Sequence, residues 1–335
     1  MNKFKNILIT GGAGFIGSNY IEYLLNKYSL LNVINLDILN YAGNLQNTYK
    51  FQNNPNYNFI QGNICDYNLI NNIFKKNKID GVVNFAAQSH VDNSIKNPDI
   101  FVETNILGVH NLLKICYEKW MASPFQYKED FQHARFHQIS TDEIYGSINE
   151  GSFNEHANYK PNSPYSASKA SADMLVRSYN RTYGLNTTIS VSSNNFGENQ
   201  HNEKFIPTVI NCIINKKPIP LYGDGSNIRD WIYVKDNCKM IDIIFNHAKG
   251  GSIYNLGAEN ELTNLQIIEI VFSIINELIP SKLKINNIKD RPGHDFRYSL
   301  DVNKFKLDFK VIQKNTFEVN LRNYIKTILK IKNIQ

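Results

Sequence analysis

The chain has 335 residues, of which 42% are hydrophobic and 20% charged, with a formal net charge of +6. That balance is globular and excludes a disordered chain, and the length suits one large domain or two modest ones. The lysines are scattered and do not interleave with aromatics in a stripe, so no nucleic-acid partner is expected, whereas a small anionic substrate fits.

Four widely spaced cysteines, Cys65, Cys116, Cys212 and Cys238, form no CxxC pair. Neither a zinc site nor a disulfide framework is expected, and free thiols suit a reducing compartment. No apolar run reaches the ~18 residues of a membrane span, so no membrane partner is expected. The first strand begins at Asn6, which leaves no pattern for a secretory leader; the expected location is cytoplasmic.

In chain order, strands are predicted at Asn6–Thr10, Val33–Asp37, Asn58–Gln61, Gly81–Phe85, Arg135–Ser140 and Thr187–Ser192. Helical periodicity falls between them at Phe15–Tyr28, Leu69–Lys78, Ile100–Lys119 and Tyr165–Tyr183. Strands alternating with helices predict an α/β fold of Rossmann type, a doubly wound parallel sheet. After about Asn194, Pro and Gly punctuate the chain and two helical patterns remain, near Lys204–Ile214 and Asn264–Leu278. The expected organisation is a dinucleotide-binding domain over residues 1–193 and a smaller substrate-binding domain over 194–335. Some later segments are expected to return to the first, and the two parts to share one cleft.

Thr10-Gly11-Gly12-Ala13-Gly14-Phe15-Ile16-Gly17 follows the first strand and opens the first helix. In that context Gly11 serves a tight turn, Gly14 a close approach of pyrophosphate, and Gly17 helix–sheet contact, with the helix N-terminus facing phosphate. Asp37 ends the second strand 20 residues beyond Gly17. An acid there can accept from an adenosine ribose, which favours NAD over its 2′-phosphorylated relative.

Tyr165 and Lys169 stand four apart at a helix start announced by Ser163-Pro164, and share a face. Lowering a tyrosine from its usual pKa of about 10 to about 7 requires roughly 4 kcal/mol. A lysine charge at ~4 Å with an effective dielectric of ~20 supplies about that much. The pair is therefore expected to form a base for a sugar or alcohol hydroxyl. Ser140-Thr141-Asp142-Glu143 ends the fifth strand, at the edge where open parallel sheets bind ligands. Thr141 can hydrogen-bond the same hydroxyl. Two adjacent acids exceed what hydride transfer needs, so one is expected to remove a proton and the other, kept neutral, to donate one.

These motifs carry a resemblance over essentially the whole chain. With Asn40–Asn44, Ser89–Asp92, Ser140–Gly146, Asn202–Pro207, Tyr222–Tyr233 and Arg291–Asp295, the sequence resembles the extended short-chain dehydrogenase/reductases, and within them the dTDP-glucose 4,6-dehydratase family. The Thr-Asp-Glu run discriminates, because sugar 4-epimerases of the superfamily generally lack that acid pair. The resemblance implies oxidation at C4, water loss across C5 and C6, and a tightly bound NAD regenerated each turnover. It gives Tyr165, with Thr141 and Lys169, the first proton, Glu143 the C5 proton, and Asp142 the proton for the departing C6 oxygen.

It further implies cofactor contacts from Gly11, Gly14, Phe15, Ile16, Gly17, Asp37, Asn63, Ile64, Ala86, Ala87, Ser89, Tyr165 and Lys169. Substrate contacts are implied for Ser89, His90, Thr141, Asn194, Asn195, Glu203, Lys204 and Phe205, and for Tyr222, Arg229, Asn264, Arg291 and His294 near the nucleotide and diphosphate. No metal is implied, and a homodimer through the two long helices is. Departures from the family pattern stand at Asn63, Gln88, Phe196, Glu198–Asn202 and Phe205. They leave open another nucleotide sugar as substrate. A 4-epimerase and a non-catalytic NAD-binding relative are the remaining alternatives.

Overall fold

The computed structural model describes residues 3–290, 292–311 and 315–332. Its strands are β1 (Asn6–Thr10), β2 (Asn32–Asp37), β3 (Tyr57–Gln61), β4 (Gly81–Asn84), the short hairpin β5 (Met121–Ser123) and β6 (Gln126–Tyr127), and β7 (Arg135–Thr141). There follow β8 (Thr187–Ser192), β9 (Asn194–Phe196), β10 (Ile219–Tyr222), β11 (Ile228–Tyr233), β12 (Ile253–Leu256), β13 (Glu261–Thr263) and β14 (Ile285–Ile288). The helices are α1 (Phe15–Lys27), α2 (Tyr67–Asn77), α3 (Val91–Lys96), α4 (Asp99–Val102), α5 (Gly108–Trp120), α6 (Pro164–Tyr183), α7 (Phe205–Ile214), α8 (Val234–His247), α9 (Asn264–Leu278), α10 (Asn303–Phe309) and α11 (Phe317–Ile331).

Seven strands form one sheet in the order β12-β8-β7-β4-β1-β2-β3, every pair parallel. The order reverses beside β1, where a Rossmann-type sheet opens a crevice at its carboxyl edge. Near-continuous apolar strands such as β1 and β4 suit a sheet buried on both faces. One face packs Leu8, Val82 and Phe136 against α2, α5 and α6 through Ile73, Leu112, Trp120 and Val176. The other packs Ile7, Ile9 and Val83 against α1, α8 and α10 through Ile21, Leu24, Ile244, Phe245 and Phe305. A separate core of Phe196, Ile210, Leu221, Trp231, Ile268 and Leu321 joins α7, α9 and α11 to β9, β10 and β11.

Two helical patterns were expected beyond residue 194; α8, α10 and α11 are further helices. The chain also returns to the large sheet after the small sheet formed by β9, β11 and β13 has begun: α8 packs on α1, and β12 pairs with β8. The long helix expected at Ile100–Lys119 is interrupted by a π-helical turn at Glu103–Leu107 between α4 and α5.

Arg135 at the start of β7 fixes α8 on the sheet. It is buried, and its guanidinium donates to the carbonyls of Ile244, Phe245 and Ala248 at 3.0, 2.8 and 2.6 Å, and to Asn186 Oδ1 at 3.1 Å. These carbonyls end α8, where the Ala248 amide also donates to the Ile244 carbonyl at 3.0 Å. Arg135→Met removes the side-chain donors from the Phe245 and Ala248 carbonyls, and is expected to cost about 3 kcal/mol in a urea denaturation series.

Candidate active site

The site lies over the carboxyl ends of β1, β4 and β7. Its cavity, about 430 Å³, is lined by the turn after β1, the segment 85–89 after β4, Thr141–Glu143, the start of α6, and residues 192–195 and 200–205. Gly11 takes φ +70°, and a Cβ on it would lie 2.6 Å from the Ala86 amide, so only glycine lets these two turns touch. Gly14 has an ordinary extended backbone, and a Cβ there would meet only the Gly11 carbonyl, at 3.1 Å. Its bareness serves the cavity it lines. No side chain caps α1, whose first-turn amides therefore remain as donors for phosphate. Asp37 accepts from the amides of Ala13 and Leu39 at 2.9 and 2.8 Å; burial raises its pKa and these bonds oppose the rise.

Gly11, Gly14, Phe15, Ile16, Gly17, Asp37, Asn63, Ile64, Ala86, Ala87 and Ser89 all line this one cavity. A cradle bare at Gly14, uncapped helix amides and a strand-end carboxylate fit a dinucleotide. Asn63 differs in detail from the expectation: its Oδ1 accepts from the Cys65 amide at 2.9 Å, so the side chain also closes its own turn.

The other end of the cavity holds Thr141, Asp142, Glu143, Tyr165 and Lys169. Ser163 and Ser166 cap α6 reciprocally at 3.1 and 3.0 Å, with Pro164 at its first position, which fixes Tyr165 in the first turn. Asp142 is buried, and its Oδ2 has no partner among the described residues. Burial, then the charge of Glu143, push its pKa up to about 8, against the pull of Arg229. Thr141 Oγ1 lies 3.2 Å from Asp142 Oδ1 and hydrogen-bonds the Tyr165 phenol. A threonine has one proton to give. A neutral Asp142 can donate to Thr141 and so free that proton for a Tyr165 oxyanion.

The arithmetic for Tyr165 requires correction. Burial, followed by the negative charge of Glu143, raises the phenol pKa, against the hydrogen bond from Thr141. The Lys169 ammonium donates to the Ile139 carbonyl at 2.6 Å, and burial lowers its own pKa. A cation at the cavity is needed before Tyr165 can act as a base.

Among the substrate residues expected, Ser89, Asn194, Asn195, Glu203, Lys204 and Phe205 line the cavity, and Lys204 Nζ donates to the Ser89 carbonyl at 3.1 Å. His90, Tyr222 and His294 stand outside the lining, and His90 connects to it through Glu203. His90 Nε2 is 3.8 Å from Glu203, Tyr222 donates to Asp92 at 3.1 Å, and the Tyr222 and His294 rings meet edge-on at 6.1 Å.

Arg229 and Asn264 also stand outside the lining. Arg229 is buried over the Tyr298 ring at 4.2 Å, donating to the carbonyls of Ile228, Asp295 and Phe296 at 2.7, 2.9 and 3.1 Å. These acceptors hold its fork in the protein, so its expected place at the diphosphate is corrected to a brace for the 295–298 segment, from which its charge still reaches Asp142. Asn264 starts α9, where its amide donates to the Asn227 carbonyl at 3.0 Å. Arg291 lies outside the described residues.

The loop expected to depart from the family pattern is tied across the site. Asn19 donates to the Glu198 carbonyl at 2.8 Å, Asn199 to Ser18 Oγ at 3.0 Å, and Gln200 to the Asn195 carbonyl at 2.9 Å. Phe196 is buried among Tyr233 and Phe317.

Known proteins resemble this chain over nearly its whole length. The family model described as GDP-mannose 4,6 dehydratase matches residues 8–323. The dTDP-glucose 4,6-dehydratase of Haemophilus influenzae is 44% identical over 334 residues, covering 97% of this chain and 98% of that protein. The chain belongs to the dTDP-glucose 4,6-dehydratase family. The Bacillus anthracis dTDP-glucose 4,6-dehydratase, solved in complex with NAD, superposes with a TM-score of 0.87 at 39% identity, covering 98% of this chain and 97% of that one. The Streptomyces venezuelae enzyme, solved with NAD and TYD bound, gives 0.89 at 36%, covering 98% of each. NAD is the cofactor of this dehydratase.

The sequence reading missed several wall residues of the dehydratase cavity. Ile100 reaches it from α4, and Glu103 and Thr104 from the helix break at Glu103–Leu107, which leaves no compositional trace. Trp231, whose indole N–H has no partner among the described residues, reads in sequence as an ordinary strand aromatic. Asn40, Ala42 and Gly43 had been noted as a motif without a role, and all line the cavity. Gly14→Val is expected to leave the melting temperature nearly unchanged once NAD is stripped from both proteins, yet to abolish copurification of NAD, read from the 260/280 nm ratio.

Proposed function

We propose that the enzyme removes water from dTDP-glucose to give dTDP-4-keto-6-deoxyglucose, as a hydro-lyase (EC 4.2.1.46). The observation that carries the reading is a buried Asp142, whose burial favours its neutral form, beside Glu143 and Tyr165 at one cavity. Oxidation alone needs a single base; elimination of a poor leaving group needs an acid as well.

A sugar C5–H is not acidic until a ketone stands beside it, so the order of events is fixed by chemistry. Tyr165 takes the C4 hydroxyl proton, with Thr141 bonding the same oxygen. Bound NAD accepts the C4 hydride, returns it at C6, and through its cationic ring favours the Tyr165 phenolate that the protein alone disfavours. Glu143 takes the acidified C5 proton, Asp142 delivers its proton to the C6 oxygen, which leaves as water, and a proton returns to C5 as the hydride adds to C6. Lys204, Asn194 and Asn195 hold the substrate at the lobe opposite the glycine turn, with Tyr222 and His294 toward the nucleotide.

We also propose a cytoplasmic homodimer. No helix among the described residues is long and apolar enough to cross a membrane. Val102, Leu107 and Met174, exposed on the layer that holds α5 and α6, support pairing through those helices.

The test is turnover in D₂O. One deuterium at C5 with loss of water and no net NADH is expected, whereas inversion at C4 without exchange would indicate an epimerase. Glu143→Gln is expected to accumulate bound NADH at 340 nm, because C4 oxidation proceeds and elimination stalls; unchanged turnover removes Glu143 from the scheme. A general acid with a pKa of about 8 is protonated below that value and ionised above it. The elimination rate in single turnovers is therefore expected to fall as pH rises through about 8, and a flat profile between pH ~7 and ~9.5 excludes Asp142 as the acid.

A further inference from the structure

Asp173 is wholly buried and lies outside the cavity lining. On α6 it stands four residues beyond Lys169 and eight beyond Tyr165, so the three share one face of the helix. Its Oδ2 accepts from the Ser140 hydroxyl at 2.5 Å, while Oδ1 has no partner among the described residues. Ser140 immediately precedes Thr141-Asp142-Glu143, and Lys169 donates to Ile139 on the same strand.

A half-partnered carboxylate inside a protein is costly unless an opposite charge faces it. An asparagine would serve Ser140 equally well without that cost, so the charge itself needs a reason. Burial raises the Asp173 pKa to about 7, and Lys169, Ser140 and Arg177 oppose it, in that order. For Lys169, burial lowers the pKa and Asp173 is the charge that resists. The other groups facing Asp173 are the neutral phenols of Tyr145 and Tyr159, from the turn after β7 and the segment before α6.

We propose that Asp173 is a positioning residue for the first proton transfer: from behind Lys169 it keeps that ammonium charged, so that Lys169 can stabilise the Tyr165 phenolate, while its bond to Ser140 ties α6 to the strand end bearing the acids. The inference rests on Tyr165 being the base.

Single-turnover NADH formation with dTDP-glucose, followed across pH in the holoenzyme, tests it. A less charged Lys169 leaves the phenol harder to ionise, so the acid limb, where rate climbs with pH, moves upward. Asp173→Asn is expected to move its midpoint up by about one unit and slow the step roughly tenfold at pH ~7. NAD content and KM are expected to hold. Ser140→Ala keeps the carboxyl group but loses one of the bonds that favour its ionised form, and is expected to move the midpoint in the same direction by less. A limb in Asp173→Asn that coincides with the parent, or an equal displacement in Ser140→Ala, overturns the proposal. Should Asp173→Asn not yield folded holoenzyme, Asp173→Ser is assayed with and without formate. Return of the limb toward the parent on adding formate supports the proposal, and an unmoved limb overturns it. Tyr165→Phe separates the two readings: if NADH still forms there, the base assignment fails first.

Discussion

The chemistry depends on withholding water from the end of one strand. β7 carries Ser140 and Thr141 to the edge of the sheet, and the turn that follows keeps Asp142 buried. Asp142, ionised in water at neutral pH, thereby becomes an acid with a proton to give. The same desolvation holds the Tyr165 phenol above its usual value and the Lys169 amine below its own. One physical effect thus arms the acid and disarms the base. A cation bound beside Tyr165 would favour the phenolate again, and the dinucleotide cradle of Gly11, Gly14 and Asp37 lines the same cavity.

This account differs from a simple Tyr–Lys pair. A lysine charge at contact distance has the right magnitude on paper, but the ammonium is buried and gives one of its donors to a main-chain carbonyl, so it does not hold the phenol down by itself. Arg229 illustrates the same point with the opposite outcome. Its side chain is chemically suited to phosphate, yet three carbonyls and an aromatic face hold it inside the protein. What a residue type can bind and what its neighbours leave it free to bind are separate questions.

Much of the first half was legible in the sequence because its signals are local. The strand at Asn6–Thr10, the glycine turn after it and the Ser163-Pro164 start of α6 each carry their own instruction. The acid pair was legible because Thr-Asp-Glu ends a strand at the edge where such sheets bind ligands. The second half was harder. α8 has a clear apolar face in Cys238, Ile241 and Phe245 but no side-chain cap, so nothing in sequence separates it from β11, which runs straight into it. β12 is four residues long, and only its pairing with β8 makes it part of the large sheet. The wall contributed by Thr104 arises from one extra residue in a helical turn, a geometric event without a sequence signature. Arg229 was misplaced because its acceptors come from a segment some 66 residues later, which spacing cannot reveal.

The ties from Ser18 and Asn19 to the 198–199 segment join the first turn of α1 to the loop that borders the substrate end. They form a latch across the dinucleotide crevice, made of amides and hydroxyls in place of stiff ring residues. A catalyst that restores its coenzyme every cycle gains nothing from letting it go. The two bonds thus fasten the loop at the substrate end to the helix that opens the dinucleotide cradle.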